Sequence, residues 1–242
     1  MADALEELVR TLDSVLSDKF DLPSPKAEIK YHSSSDASCY YEPKTNQVHV
    51  PENVGPADFI HEYYGHAFFN NYSHLGRVLT SMESEMDVFE RQYGLPKNSK
   101  VEVVNSGCVP KIEKNINGAA EYRLHCNLSD KSVCRYLKLK SEYNKLFEET
   151  RPLQEGFAMF MEQLLLGSLG PGIASDRLTE ISGSDYYAYL SKFLEGVNAD
   201  GLFTTFYSLG LPKSTRPDIV AQYAIEHLKD VNGLKLLVMY GS

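Results

Sequence analysis

The chain has 242 residues, enough to bury one substantial core, and its 24 Lys and Arg against 33 Asp and Glu leave a net charge of −9. That balance disfavours nucleic acid or an anionic membrane as the main partner. No stretch approaches the roughly 20 apolar residues that a bilayer-spanning helix requires.

The first element is an amphipathic helix between Met1 and Phe20, with Leu5, Leu8, Val9, Leu12, Val15 and Leu16 on one stripe. It lacks the continuous apolar core of a signal peptide, so a cytoplasmic protein is expected. Leu22-Pro23-Ser24-Pro25 breaks the helix, and Ala27 to His32 reads as a strand. Ser38 to Tyr41 and Gln47 to Val50, on either side of Glu42-Pro43-Lys44-Thr45-Asn46, give a β-hairpin signal. Pro51 to Ala57 is a loop, Asp58 is placed to cap a helix carrying His61 to Phe69, and Asn70 to Ser73 ends that helix. A further helix spans Leu79 to Tyr93, with Met82, Met86 and Phe89 inward and Glu83, Glu85, Asp87 and Glu90 solvated.

Residues 95–130 contain Pro, Gly, Asn and several lysines without strong periodicity, the pattern of an insertion or cap. Lys131 to Thr150 reads as helix. Thr150 then serves as the N-cap of a new helix with Pro152 near its first turn and a long apolar run to Leu166 and Gly167. Beyond Gly172, helices are expected around Asp185 to Leu194, Pro217 to Lys229 and Leu234 to Tyr240. Cys39, Cys108, Cys126 and Cys134 form no CxxC pair and read as reduced thiols. His32, His49, His125 and His227 are isolated and read as structural.

The residues that carry chemistry are in His61-Glu62-Tyr63-Tyr64-Gly65-His66. In the common zinc-peptidase helix the two histidines are four residues apart and project within about 40° of each other. Here the separation is five, which on a regular helix is an offset of about 140°, too wide for two imidazoles to share one ion. A one-residue π-bulge restores a common face, and Gly65 lies inside the turn that must widen. With that bulge, His61 and His66 supply nitrogen ligands to Zn2+ and Glu62 stands beside the site as a general base for water.

A third ligand is found in Gln154-Glu155-Gly156-Phe157-Ala158, where Glu155 opens an apolar helix and Glu162 follows on nearly the same face. A carboxylate on such a helix needs a partner, because burying an unpaired charge is very unfavourable. The combination resembles the glutamate-zincin metallopeptidases, in which one helix gives two histidines and the base and a later helix gives a glutamate. The form with the extra residue resembles the active site of the dipeptidyl peptidase III family. Glu155 matches that family's ligand glutamate and Ala158 its alanine, whereas Gln154 and Met159 replace acids. Met159 stands where these families place the acid that accepts a hydrogen bond from a ligand histidine; Glu162, Asp58 or a backbone carbonyl can fill that role.

The resemblance implies an α+β fold, mostly helical and zincin-like, with a small N-terminal antiparallel sheet and a helical C-terminal part; the chain length favours a single domain over 1–242, with the insertion or cap at 95–130. It implies a zinc peptidase acting on a peptide or protein, with His61, His66 and Glu155 on Zn2+ and Glu62 as base. It also implies an oxyanion-stabilising residue some tens of positions after Glu155, for which Tyr223 fits best, with His227 and Arg216 as rivals. Tyr186, Tyr187 and Tyr189 form another cluster able to line the cleft. Met159 and Gln154 motivate an alternative, a zincin-fold binding or regulatory protein that keeps the metal; retention of Glu62 argues against it.

Overall fold

The computed structural model describes residues 2–20, 22–33, 38–95, 100–105, 111–114, 121–127 and 130–199. The described residues fall into two compact units, one from Met1–Arg77 and Thr150–Ser242 and the other from Val78–Glu149.

In the first unit, helix α1 (Ala2–Phe20) buries Leu5, Leu12 and Leu16, the predicted stripe. Strands β1 (Glu28–His32), β2 (Tyr40–Glu42) and β3 (Gln47–Pro51) form a sheet of order β1-β3-β2. The hairpin is as expected, with β2 antiparallel to β3 and Asn46 at φ 52° in the turn, a conformation asparagine tolerates. The sheet as a whole is mixed rather than antiparallel. Strand β1 adds to the far side of β3 and runs parallel to it, from Glu28 opposite Gln47 to His32 opposite Pro51. Period-two patterning identifies a strand but says nothing of its direction, which depends on long-range pairing. Central strand β3 buries Val48, His49 and Val50.

Residues 56–72 then run as one helical stretch: α2 (Pro56–Ile60), a π-helical segment (His61–Ala67) and α3 (Phe68–Tyr72). Asp58 is not its cap. Gly55 holds the N-cap position and Asp58 sits inside the first turn.

Helix α4 (His74–Tyr93) starts five residues earlier than expected, and α5 is continuous from Lys131 to Leu169 with Pro152 inside it. Thr150 therefore caps nothing; its hydroxyl accepts a hydrogen bond from Gln154 Nε2 at 3.1 Å. Proline removes one N–H and crowds the carbonyl one turn back. The buried run from Phe157 to Leu166, apolar except for Glu162 and Gln163, offsets that cost by hydrophobic burial. After Gly170, α6 (Pro171–Ile181) was not foreseen, although Pro171 at its first turn and the spacing of Ala174, Leu178 and Ile181, all buried, are helix signals. Helix α7 (Asp185–Ala199) completes the described part of this unit.

The second unit contains β4 (Lys100–Asn105), β5 (Lys111–Lys114) and β6 (Glu121–Cys126) in the order β4-β6-β5, with β4 parallel and β5 antiparallel to β6. The stretch that looks aperiodic in sequence thus carries a sheet of its own, and the unit extends on both sides of 95–130. Its small core includes Met86, Phe89, Leu124, Val133 and Tyr136. Two of the acids expected in solvent are instead partners of tyrosines: Glu90 accepts from Tyr136 Oη at 3.0 Å and Glu83 from Tyr143 Oη. No helix among the described residues is long and apolar enough to cross a membrane. The helices expected at 217–229 and 234–240 lie outside the described residues.

Candidate metal centre

The site begins with the helical widening that the histidine spacing demands. Residues His61 to Ala67 are π-helical, and the rings of His61 and His66 lie on one side with centroids 4.9 Å apart and planes at 77°. Gly65 serves a second purpose. A Cβ at this position would sit 2.6 Å from both Cα and Cβ of Ala158, so only glycine lets α5 pass this close to the π segment. Gly156 plays the same part toward α7, where a Cβ would meet Phe193 Cβ at 2.4 Å and the Tyr189 carbonyl oxygen at 2.6 Å. Packing Ala158 on Gly65 brings Glu155, one turn earlier on α5, against the two imidazoles.

One carboxylate oxygen of Glu155 faces both rings, 3.5 Å from His61 Nε2 and 3.4 Å from His66 Nε2. The three ligand atoms lie within 4.8 Å of one another, and among the described residues this is the one cluster of its kind able to hold a metal ion. Two imidazole nitrogens and a carboxylate oxygen, partly enclosed, make a donor set that could hold a metal ion and leave it an open coordination position. Burial alone would raise the Glu155 carboxyl, but hydrogen bonding to His61 and His66 holds it well below the usual carboxylate range. For His61, burial favours the neutral ring, yet Glu155 and Glu162 outweigh it and push the imidazole up to about 9.

Behind His61 the structure selects Glu162 from the three orienting groups that the sequence left open. Its Oε2 lies 3.1 Å from His61 Nδ1, so the ring nitrogen not facing the site is hydrogen-bonded and Nε2 is aimed inward. Glu162 is wholly enclosed. Seven helical residues bring it within about 20° of Glu155, whereas Met159, four residues on, is rotated by about 40° and forms buried cleft wall instead. The other oxygen of Glu162 accepts from Arg177 Nε at 2.8 Å, and Asp58, mostly exposed, pairs with Arg177 Nη2 at 3.3 Å.

Glu62 opens onto a cleft of about 330 Å³, whose walls include His61, Cys39, Asp58, Arg177 and Tyr186. Its Oε2 accepts a hydrogen bond from the backbone N–H of Tyr41 at 2.8 Å, so the edge strand β2 fixes the carboxylate. Burial, with the charges of Glu62 and Asp58, raises the Cys39 thiol to about 12, which keeps it protonated and a poor ligand. Tyr186 stands half exposed with its ring edge-on to His61, centroids 5.8 Å apart and planes at 86°. Its hydroxyl is held protonated by burial and by the nearby charges of Glu155 and Glu62.

Of the residues named from the sequence, His61, Glu62, His66 and Glu155 are therefore neighbours at one site, and Tyr186 is the member of its tyrosine cluster that lines the cleft. Tyr223, His227 and Arg216 lie outside the described residues. Arg177 and the Tyr41 amide were missed. Arg177 is carried by the unforeseen α6, and a backbone donor leaves no mark in side-chain identity. Comparison with protein-family models, curated proteins and solved structures gives no match.

Proposed function

We propose that this protein is a zinc-dependent peptidase that hydrolyses a peptide bond of a peptide or protein substrate. The observation that carries the reading is the π-helical turn that sets His61 and His66 around the Glu155 carboxylate, with Glu62 adjoining in an open cleft. Such a widened turn has a cost relative to a regular helix and occurs often at functional sites. Bound at these three ligands, Zn2+ would acidify a water and polarise the scissile carbonyl.

The chain's own residues supply the rest. Glu62, held by the Tyr41 N–H, accepts the proton of the attacking water and returns it to the leaving amine. Glu162 keeps His61 in the tautomer that presents Nε2. Tyr186, protonated and on the cleft wall, donates a hydrogen bond to the oxyanion of the tetrahedral intermediate, the part for which the resemblance pointed to Tyr223. The cytoplasm fits as compartment, since Cys39 is a reduced thiol.

The alternative of a metal-keeping binding protein is motivated by the missing acids at Met159 and Gln154. Glu162 supplies the first from a different helical position, which weakens that half of the motive. The test combines zinc content of the purified chain, with and without His66→Ala, and peptide cleavage by wild type and Glu62→Gln. Stoichiometric zinc that depends on His66 and cleavage that depends on Glu62 are expected. Zinc-loaded protein that cleaves no peptide library would turn the reading toward the binding module, and a wild type without zinc would end both.

A further inference from the structure

The metal-site ligands do not account for Arg177. Its side chain comes from α6, reaches the rear of the centre and has each nitrogen committed: Nε donates to Glu162 Oε1 at 2.8 Å, Nη1 pairs with Glu180 Oε2 at 3.0 Å and Nη2 with Asp58 Oδ1 at 3.3 Å. Glu180 and Asp58 are largely exposed, so those two pairs are screened and weak. The pair with Glu162 is different, because that carboxylate is completely enclosed. A buried carboxylate without a cationic partner is strongly unfavourable, and breaking such a pair costs far more than breaking a surface one.

Glu162 is held at both oxygens, by Arg177 on one and by His61 Nδ1 on the other. It cannot rotate toward solvent without leaving both, and without the guanidinium it would keep only His61, which is neutral when its Nε2 holds a metal ion. We infer that Arg177 is a positioning residue for the metal centre, acting through Glu162 to keep His61 Nε2 aimed at the ion. The fork geometry suits this role, since three separate carboxylates fix the guanidinium plane and leave Nε one direction in which to donate.

This inference rests on the reading of His61, His66 and Glu155 as metal ligands. It is tested by titrating the metal-free full chain with Co2+ as the probe and following the visible absorption of the cobalt site, which reports ligand geometry. Arg177→Met is expected to weaken Co2+ binding by about 10- to 100-fold and to alter the absorption band. Arg177→Lys, which restores the charge, should recover most of the affinity. Glu180→Gln, which removes a pair at the surface, should bind as wild type does. Because Arg177 acts through Glu162, adding Arg177→Met to Glu162→Gln should cause no further loss. Near-UV circular dichroism of each metal-free variant checks the fold, and Arg177→Gln replaces the methionine variant if that one does not fold. Wild-type affinity and spectrum in the Arg177 variants, or additive losses in the double variant, would overturn the inference. Failure of the wild type to bind Co2+ would instead overturn the metal reading on which it stands.

Discussion

Gly65 and Ala158 are in direct contact across two helices, so close that a Cβ on Gly65 would lie 2.6 Å from the Ala158 Cα and Cβ. This contact joins the segment that carries the histidines to the helix that carries the glutamate. Backbone atoms cannot yield as a flexible side chain can, so Gly65→Ala must separate the π segment from α5. The substitution is expected to lower stability by about 1–3 kcal/mol, as overpacking does. It should weaken zinc binding as well. Thermal unfolding of the metal-free protein and zinc stoichiometry after dialysis measure the two effects separately.

Glu62 contacts the cleft and the Tyr41 amide but is not one of the three clustered ligands. Glu62→Gln is therefore expected to leave zinc content unchanged while lowering kcat by about 100- to 10,000-fold, the usual contribution of a general base. A variant that lost its zinc would show that Glu62 belongs to the metal set instead.

Tyr186 stands against His61 at the mouth of the same cleft. Tyr186→Phe keeps the ring and removes only the hydroxyl, so kcat should fall by about 100- to 1,000-fold with zinc and KM little changed. If Tyr223→Phe gave that loss and Tyr186→Phe did not, the oxyanion donor would be the residue to which the family resemblance pointed.

The metal-free protein should show a defined stability window. Burial would lower the His61 imidazole, but its carboxylate partners dominate and raise it from 6.5 to about 9, so its stabilisation is complete below pH 6.5 and is lost as pH rises through about 9. Burial would raise the Glu155 carboxyl, but the two histidines hold it below its ordinary 4.5, so its stabilisation is present above pH 4.5 and is lost as the solution is made more acid. The melting temperature of the metal-free chain is expected to peak between about pH 4.5 and 6.5 and to decline toward pH 9. Glu155→Gln should flatten both flanks. A wild-type profile as flat as that of Glu155→Gln would contradict the pairing.

On the proposed ligand set, zinc and the Nε2 proton of His61 compete for the same nitrogen. Glu155 and Glu162 outweigh burial and raise His61 to about 9, so the metal-free ring is expected as imidazolium at pH 7.5 and zinc uptake should release about one proton per ion. Calorimetric titrations in two buffers of different ionisation enthalpy measure that number directly. Release near zero would mean that the ion enters without displacing the His61 proton.

The linear order of residues carried the histidine pair and the bulge, because both follow from helical angles: His61 and His66 can meet only if a turn widens. Glu155 was legible as a carboxylate at the start of an apolar run, although that run is the later part of the continuous α5 and not the start of a new helix. The α1 stripe and the β2–β3 hairpin were legible for the same reason, as local periodicity and turn chemistry. Strand direction was not. Nothing in Glu28–His32 distinguishes a parallel partner from an antiparallel one, or says which residues of β3 it pairs with.

The orienting acid was undecided among three groups until tertiary packing enclosed Glu162 and left Asp58 exposed. Arg177 was hidden altogether, since its partner is fifteen residues away on another helix and its role depends on the burial of that partner. Helical geometry is a short-range property, and it fixed from sequence which residues share a face and where the turn must open. Burial and ion pairing between helices are long-range properties; only the packed structure decided which carboxylate orients His61, which cation holds that carboxylate, and which tyrosine faces the cleft.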